Sequence, residues 1–193
     1  MRRDPVLGGV IKKVGACQLG HGPEQPPFVA LAYSIASQQL SVKAADTIFG
    51  RFRDLFPPDR VPDPVRLLEM DAELIRGVGF SRPKVGFLRD LAAHVVDGRL
   101  PIDAMRAMPD EEILGRLTEI KGIGRWTAEV FLVFRLGRMD VFPADDLGLV
   151  KAVQRVYGLR KRPSRDRLMK IAEPWRPYRS VAAWYLWRSL SIV

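Results

Sequence analysis

The chain has 193 residues, 47% of them hydrophobic, and carries 31 Lys and Arg against 22 Asp and Glu, a formal charge of +9. That apolar share excludes a disordered chain and suits one domain or two closely packed lobes, and no apolar run approaches the ~18–20 residues of a membrane span. A single cysteine, Cys17, and two histidines, His21 and His94, exclude an intrachain disulfide, a four-thiolate zinc or iron–sulfur site and a histidine-rich metal centre. The basic balance favours a polyanionic partner, nucleic acid first, although a general solubility charge has the same composition.

The N-terminal stretch MRRDPVLGGVIKKVG is basic, is broken by Asp4, Pro5 and two glycines, and lacks a signal-peptide core, so a soluble cytoplasmic chain is expected. His21 follows in a Gly/Pro-rich loop. FVALAYSIASQQL (28–40) places Phe28, Leu31, Ala32 and Ile35 at helical spacing. Ser41 is an N-cap for SVKAADTIFGRFRDLF, which stops before Pro57 and Pro58. Pro64 to Met70 and Ala72 to Arg76 read as short helices. Ser81 and Pro83 open another, running to Asp97 and Gly98, with Val85, Leu88, Leu91, Ala92 and Val95 on one face and His94 along it. Pro109 and Asp110 start the next, with Ile113, Leu114 and Leu117 inward. LGLVKAVQRVYG follows Asp145 and Asp146, Ser164 caps RDRLMKIAEPW, and the last helix is expected to begin near Pro177. Met139 to Phe142 is too short to found a sheet, and the fold class expected is all-α.

The sharpest local signal is LTEIKGIGRWTAEVFLVF, residues 117–134. Gly122 and Gly124 bracket Ile123 between two amphipathic segments. Glycine there lets the main chain approach a ligand without a Cβ in the way. Amides at the start of the following helix lack intrahelical partners and carry the positive end of its dipole, which suits a phosphate. Ile123 would pack back between the helices, with Lys121 and Arg125 adding charge at the rim. An ordinary αα-turn with glycine at its C-cap fits the glycines alone. Further on, Asp145 and Asp146 stand at a helix start, where the dipole favours an ionised carboxylate; either could also serve merely as an N-cap.

IKGIGRWTAEVF resembles the helix-hairpin-helix of the HhH-GPD DNA glycosylase superfamily, which includes endonuclease III and the 3-methyladenine DNA glycosylases. DVFPADDLGLVKAV (140–153) resembles that superfamily's loop ending in the catalytic Asp. The Trp after the hairpin, SIASQQLSVKAA (34–45) and WRPYRSVAAWYLW (175–187) are most similar to 3-methyladenine DNA glycosylase II. The likeness spans about Phe28 to Trp187. It implies two helical lobes with a DNA-binding cleft between them: one of about 38–137, its hairpin at 110–137, the other combining 1–37 and 138–193. It also implies a compact form without the N-terminal β domain of larger members.

The family's catalytic Asp matches Asp146, leaving Asp145 as support. A fixed carboxylate beside the sugar stabilises the oxocarbenium-like transition state of N-glycosidic cleavage. Bifunctional members carry a Schiff-base lysine where this chain has Trp126, so hydrolysis without strand cleavage is implied. Trp126 and Trp184 would line the pocket for a flipped, alkylated purine, while Trp175 and Trp187 read as core. Val130 replaces a pocket tyrosine of the family. Gln38, Gln39 and Leu40 would meet DNA, any one of them as the wedge. Ser81 and Lys84 would lie near the strand, a solvated basic surface being the alternative, and Lys121, Gly122, Ile123, Gly124, Arg125 and Thr127 would form the phosphate grip. No cofactor is implied beyond a Na+ or K+ ion at the backbone of Gly122 and Gly124. The resemblance thus implies a monomer acting on alkylated double-stranded DNA, and the Arg-, Ala- and Leu-rich usage suits a bacterial cytoplasm. A damage sensor that binds without cleaving, or a module that tethers a partner to DNA, would use the hairpin but would not need Asp146.

Overall fold

A computed structural model describes residues 4–20 and 25–192, and every regular element among them is helical. His21, read as a loop residue, lies outside the described residues. The chain divides into two compact units, one of Glu24–Ala128 and one of Met1–Pro23 with Glu129–Val193. The first boundary falls before the second helix, where the sequence reading put it at residue 38. The second falls inside a helix, nine residues short of the expected break after 137.

The continuous unit begins with α2 (Pro27–Ser37), buried on nearly all sides through Phe28, Val29, Ala30, Leu31, Ala32, Ile35 and Ala36. A helix apolar all round belongs in a core, which is why α2 groups with the helices that cover it. These are α3 (Val42–Asp54) and α6 (Arg82–Val96), and the short α4 (Pro64–Glu69) and α5 (Ala72–Gly77) lie against α6. Phe52 is fully buried and meets Phe56 and Phe80 edge-on at centroid distances of 5.2 and 5.3 Å, the arrangement aromatic quadrupoles prefer. Local chemistry starts the helices. The Ser41 hydroxyl accepts from Ala44 N, and the Asp63 and Asp71 carboxylates accept from Arg66 N and Glu73 N. A 3-10 turn (Ile102–Ala107) that the periodicity does not show leads to α7 (Asp110–Thr118), then the hairpin and α8 (Arg125–Phe134), within which the units divide.

His94 is buried on α6. Arg99 donates to its Nε2 at 2.9 Å, so the ring proton sits on Nδ1 and is given to the Asp90 carbonyl at 2.8 Å. It is a structural histidine.

The discontinuous unit is built on α11 (Arg179–Ser189), which packs against α9 (Leu147–Val156) and α1 (Pro5–Val14). α10 (Arg165–Ala172), capped by Ser164, leads into a 3-10 turn (Glu173–Trp175). α11 starts at Arg179, two residues beyond the expected Pro177. α1 is a helix that the sequence reading does not name. Gly8 and Gly9 each cost about 1 kcal/mol of helix propensity, yet the segment is helical, since Asp4 caps it, Pro5 opens it and Leu7 is fully buried.

Asp4 does more than cap. Its Oδ1 accepts from Leu7 N at 3.0 Å, and its Oδ2 accepts from Tyr157 Oη at 2.6 Å and Trp175 Nε1 at 2.9 Å. Burial alone would raise this carboxyl, but the Tyr157 hydroxyl, the Leu7 amide and the Trp175 indole outweigh it and hold it below the ordinary carboxylate value. Asp4→Ala is expected to cost about 2–3 kcal/mol at pH 7, a lost cap plus two hydrogen bonds to an ionised group. Because the folded carboxyl titrates lower than the unfolded one, that contribution is complete above pH ~4 and fades as pH falls through the folded value. Urea melts of both proteins at pH 7 and pH 3 check this; equal stability at pH 7 refutes it.

Candidate active site and nucleic-acid interface

The hairpin joins α7 to α8 through residues 119–124. Ile123 is 3% exposed and packs inward as expected, and its N–H donates to Ile120 O at 3.0 Å. The two glycines differ in kind. Gly122 has φ +83°, and a Cβ on it would stand 2.3 Å from Cδ2 of Phe87. Gly124 has no protein atom within 4 Å of its Cβ position. The α8 ladder opens with Ala128 N donating to Gly124 O at 3.0 Å, so the amides of Arg125, Trp126 and Thr127 precede it at the positive end of the dipole. Lys121 and Arg125 are exposed at the rim, Thr127 is half-buried, and the Arg125 guanidinium lies 3.5 Å from Glu111.

The loop after α2 is joined to this hairpin. Gln38 Nε2 donates to Gly122 O at 2.7 Å. That carbonyl is one of the two backbone groups expected to hold a monovalent cation, and a carbonyl oxygen has a second lone pair beside the one this bond uses. Gln39 is exposed at φ +57°, a left-handed angle that costs a non-glycine residue about 1 kcal/mol, and Leu40 is 40% exposed. Lys84 is half-buried, its ammonium donating to Ala36 O at 2.7 Å and Gln38 O at 2.8 Å, and burial lowers it from the ordinary lysine value. Ser81 is exposed at the α6 N-cap.

In the other unit, Asp146 is the N-cap of α9. Its Oδ1 accepts from Leu149 N at 2.6 Å and from Trp187 Nε1 at 2.8 Å, and Gly148 leaves room, since a Cβ there would be 3.1 Å from that oxygen. Trp187 stacks on Phe134 with centroids 5.4 Å apart and rings 32° from parallel. Asp145 points elsewhere: it is exposed and ion-paired with Arg165, which also approaches the buried Glu129 at 4.0 Å.

The loop before Asp146 is clamped by the start of α11. Arg179 donates through Nε to Asp140 Oδ1 at 2.7 Å and through Nη2 to Asp140 O at 2.8 Å, and Arg176 reaches Asp140 Oδ2 at 2.7 Å. Burial pushes the Asp140 carboxyl up, but these guanidiniums hold it below the usual range. Ser180 Oγ donates to Arg138 O at 2.6 Å and accepts from Val141 N at 2.9 Å.

Residues 32–177 match the family described as HhH-GPD superfamily base excision DNA repair protein. The chain belongs to that superfamily. It is similar to DNA-3-methyladenine glycosylase 1 of Schizosaccharomyces pombe, 38% identical over 182 residues that cover 93% of this chain and 80% of the relative. A solved structure of the S. pombe 3-methyladenine DNA glycosylase in complex with abasic DNA matches with a TM-score of 0.87 and 37% identity, covering 98% of this chain and 93% of that one. The DNA-3-methyladenine glycosidase of Bacillus halodurans matches with a TM-score of 0.88 and 36% identity, over 97% and 85%.

For an HhH-GPD chain, the placement of the tryptophans is informative. Trp126 is 46% exposed at the start of α8. Trp184, expected at the base pocket, is 9% exposed within the core around α11, edge-on to Tyr185 and beneath the Arg188 guanidinium at 5.9 Å. Trp187, read as core, is the one that touches Asp146. Trp175 is core, as expected, at 1% exposure.

The two hairpin glycines separate experimentally. Gly122→Ala combines a strained positive φ with overlap on Phe87 and is expected to cost roughly 2–4 kcal/mol in denaturant unfolding. Gly124→Ala meets no protein atom and is expected to stay within about 0.5 kcal/mol of the parent. The reverse order would refute the assignment of Gly122 to the fold.

Proposed function

We propose that this base-excision repair protein is a monofunctional DNA glycosylase that flips out and hydrolytically excises alkylated purines of the 3-methyladenine and 7-methylguanine type from duplex DNA, acting as a monomer. The observation that carries the reading is the fixed carboxylate of Asp146, tied by one oxygen to both a helix amide and an indole N–H. Such a charge is preorganised, so it stabilises developing positive charge at C1′ without reorganising during reaction. As the C1′–N bond breaks, its electron pair leaves with the base, and a cationic methylated purine departs neutral. Water then adds its oxygen to C1′ and gives up a proton. The products are free base and an abasic site.

Two further features support this chemistry over lyase chemistry and over simple DNA binding. Trp126, at the position matching the family's Schiff-base lysine, offers no amine. Its exposed ring suits stacking on a flipped, electron-poor base. The relatives' names, DNA-3-methyladenine glycosylase and glycosidase, point to the same substrate class. Trp187 adjoins the proposed catalytic carboxylate through its indole N–H. No cofactor is part of this proposal.

Asp146→Asn keeps N-cap capacity but loses the charge, so it should fold, bind abasic duplex like the parent and release methylated purine at least ~10²-fold more slowly in single turnover. Normal release by this variant would overturn the assignment, and a parent that binds damaged duplex without release would favour the damage sensor. Strand breaks should need alkali; borohydride trapping of a covalent complex would refute hydrolysis. Trp187→Phe keeps a six-membered aromatic ring and loses the pyrrole ring with its N–H donor, and is expected to slow release about tenfold with little change in duplex affinity. Unchanged single-turnover release would show that the indole N–H does not position Asp146.

A further inference from the structure

Three side chains along α6, at positions 84, 87 and 90, hold two separate stretches of backbone. Spaced three residues apart, they rise about 4.5 Å per step. Lys84 donates its ammonium to the carbonyls of Ala36 and Gln38, at 2.7 and 2.8 Å, where α2 ends. Phe87 lies so close under Gly122 that a Cβ there would stand 2.3 Å from its ring. Asp90 Oδ2 accepts from Lys121 N at 2.8 Å. Gln38 closes the circuit by donating to Gly122 O at 2.7 Å. The exposed, left-handed Gln39 follows directly.

Lys84 and Gln38, both members of the expected DNA-contacting set, direct their polar ends at the protein's own carbonyls. A lysine with its ammonium on two main-chain carbonyls has two strong hydrogen bonds to give up before it can reach a phosphate. Gln38 Nε2, 2.7 Å from Gly122 O, is likewise engaged with the hairpin.

We propose that Lys84 and Gln38 are positioning residues that set the register between the 38–41 loop and the hairpin, and that neither contacts DNA through its polar end. The proposal rests on the reading that both segments engage the duplex, the hairpin on the backbone and the loop at the lesion. Their fixed spacing then acts as a gauge: DNA gripped by the hairpin meets the loop at one distance, which a distorted or abasic site can accept. Losing the gauge should cost discrimination between damaged and intact DNA and leave the phosphate grip.

The test uses the full chain and its Lys84→Met and Gln38→Ala variants. Fluorescence anisotropy gives affinity for undamaged duplex and for the same duplex with a tetrahydrofuran abasic analogue, each over a salt series. A positioning Lys84 leaves the slope of log K against log salt unchanged and lowers the preference for abasic over intact duplex about tenfold. A phosphate-contacting Lys84 instead weakens both duplexes alike and reduces the slope by about 1; that outcome overturns the proposal. If Lys84→Met does not fold, Gln38→Ala, which removes one half-buried amide, gives the same readout. Retained preference in a folded Gln38→Ala overturns the proposal as well. Because the readout is binding, a parent that releases no base would refute the glycosylase reading and leave this inference standing or falling on the slopes.

Discussion

The structure around the candidate site depends on a single oxygen, Oδ1 of Asp146. It accepts the amide of Leu149 and so starts α9, and it accepts the indole N–H of Trp187 and so fixes α11 against that start. Caps of this kind contribute about 0.5–2 kcal/mol, and here the cap is also the group proposed to face the sugar. In the proposed reading stability and chemistry therefore rest on the same side chain. The glycine at 148 belongs to the same constraint, since a larger residue would crowd the oxygen from the helix side. Asp145, one residue earlier, is held by Arg165 away from this arrangement. Two adjacent carboxylates thus differ in role because one enters the helix's first turn and the other does not.

The hairpin divides its glycines between fold and ligand on similar grounds. Gly122 is required by what lies beneath it, a positive φ and the ring of Phe87. Gly124 is required by nothing in the protein, so a need for glycine there would come from whatever approaches from outside. In the proposed reading the basic rim has a bounded role: Lys121 and Arg125 would supply long-range attraction, while the amides at the head of α8 would supply direction. A +9 chain concentrates a polyanion near itself, but the helix terminus decides how it is held.

Much of this was legible in the sequence because helix starts are local chemistry. Ser41, Ser81, Ser164 and the hairpin glycines mark boundaries that the structure keeps within a residue or two. α1 was not legible, because two glycines argue against a helix that burial of Leu7 and the Asp4 contacts to Tyr157 and Trp175 sustain. Trp187 packs against the core as expected, but its bond to Asp146 was not legible for a different reason. α11 is buried on nearly every side, so its pattern carries no polar face from which to phase residues 184 and 187. Lys84 shows the limit for charge: a lysine beside a basic loop looks the same in sequence whether its ammonium meets a phosphate or a helix C-terminus.

The loop that delivers Asp146 has no regular structure of its own, and its rigidity comes from α11. Ser180 and Trp187 are seven residues apart, two turns of helix and about 10 Å along its axis, and so lie on the same side of α11. Ser180 and its neighbour Arg179 hold the loop where it begins, at Arg138, Asp140 and Val141. Trp187 holds it where it ends, at Asp146. Between these points Asp146 N donates to Pro143 O at 3.0 Å and shortens the span to a turn. The position of the carboxylate is therefore set by one face of one helix, and the motif WRPYRS earns its place through the clamp it makes on the loop.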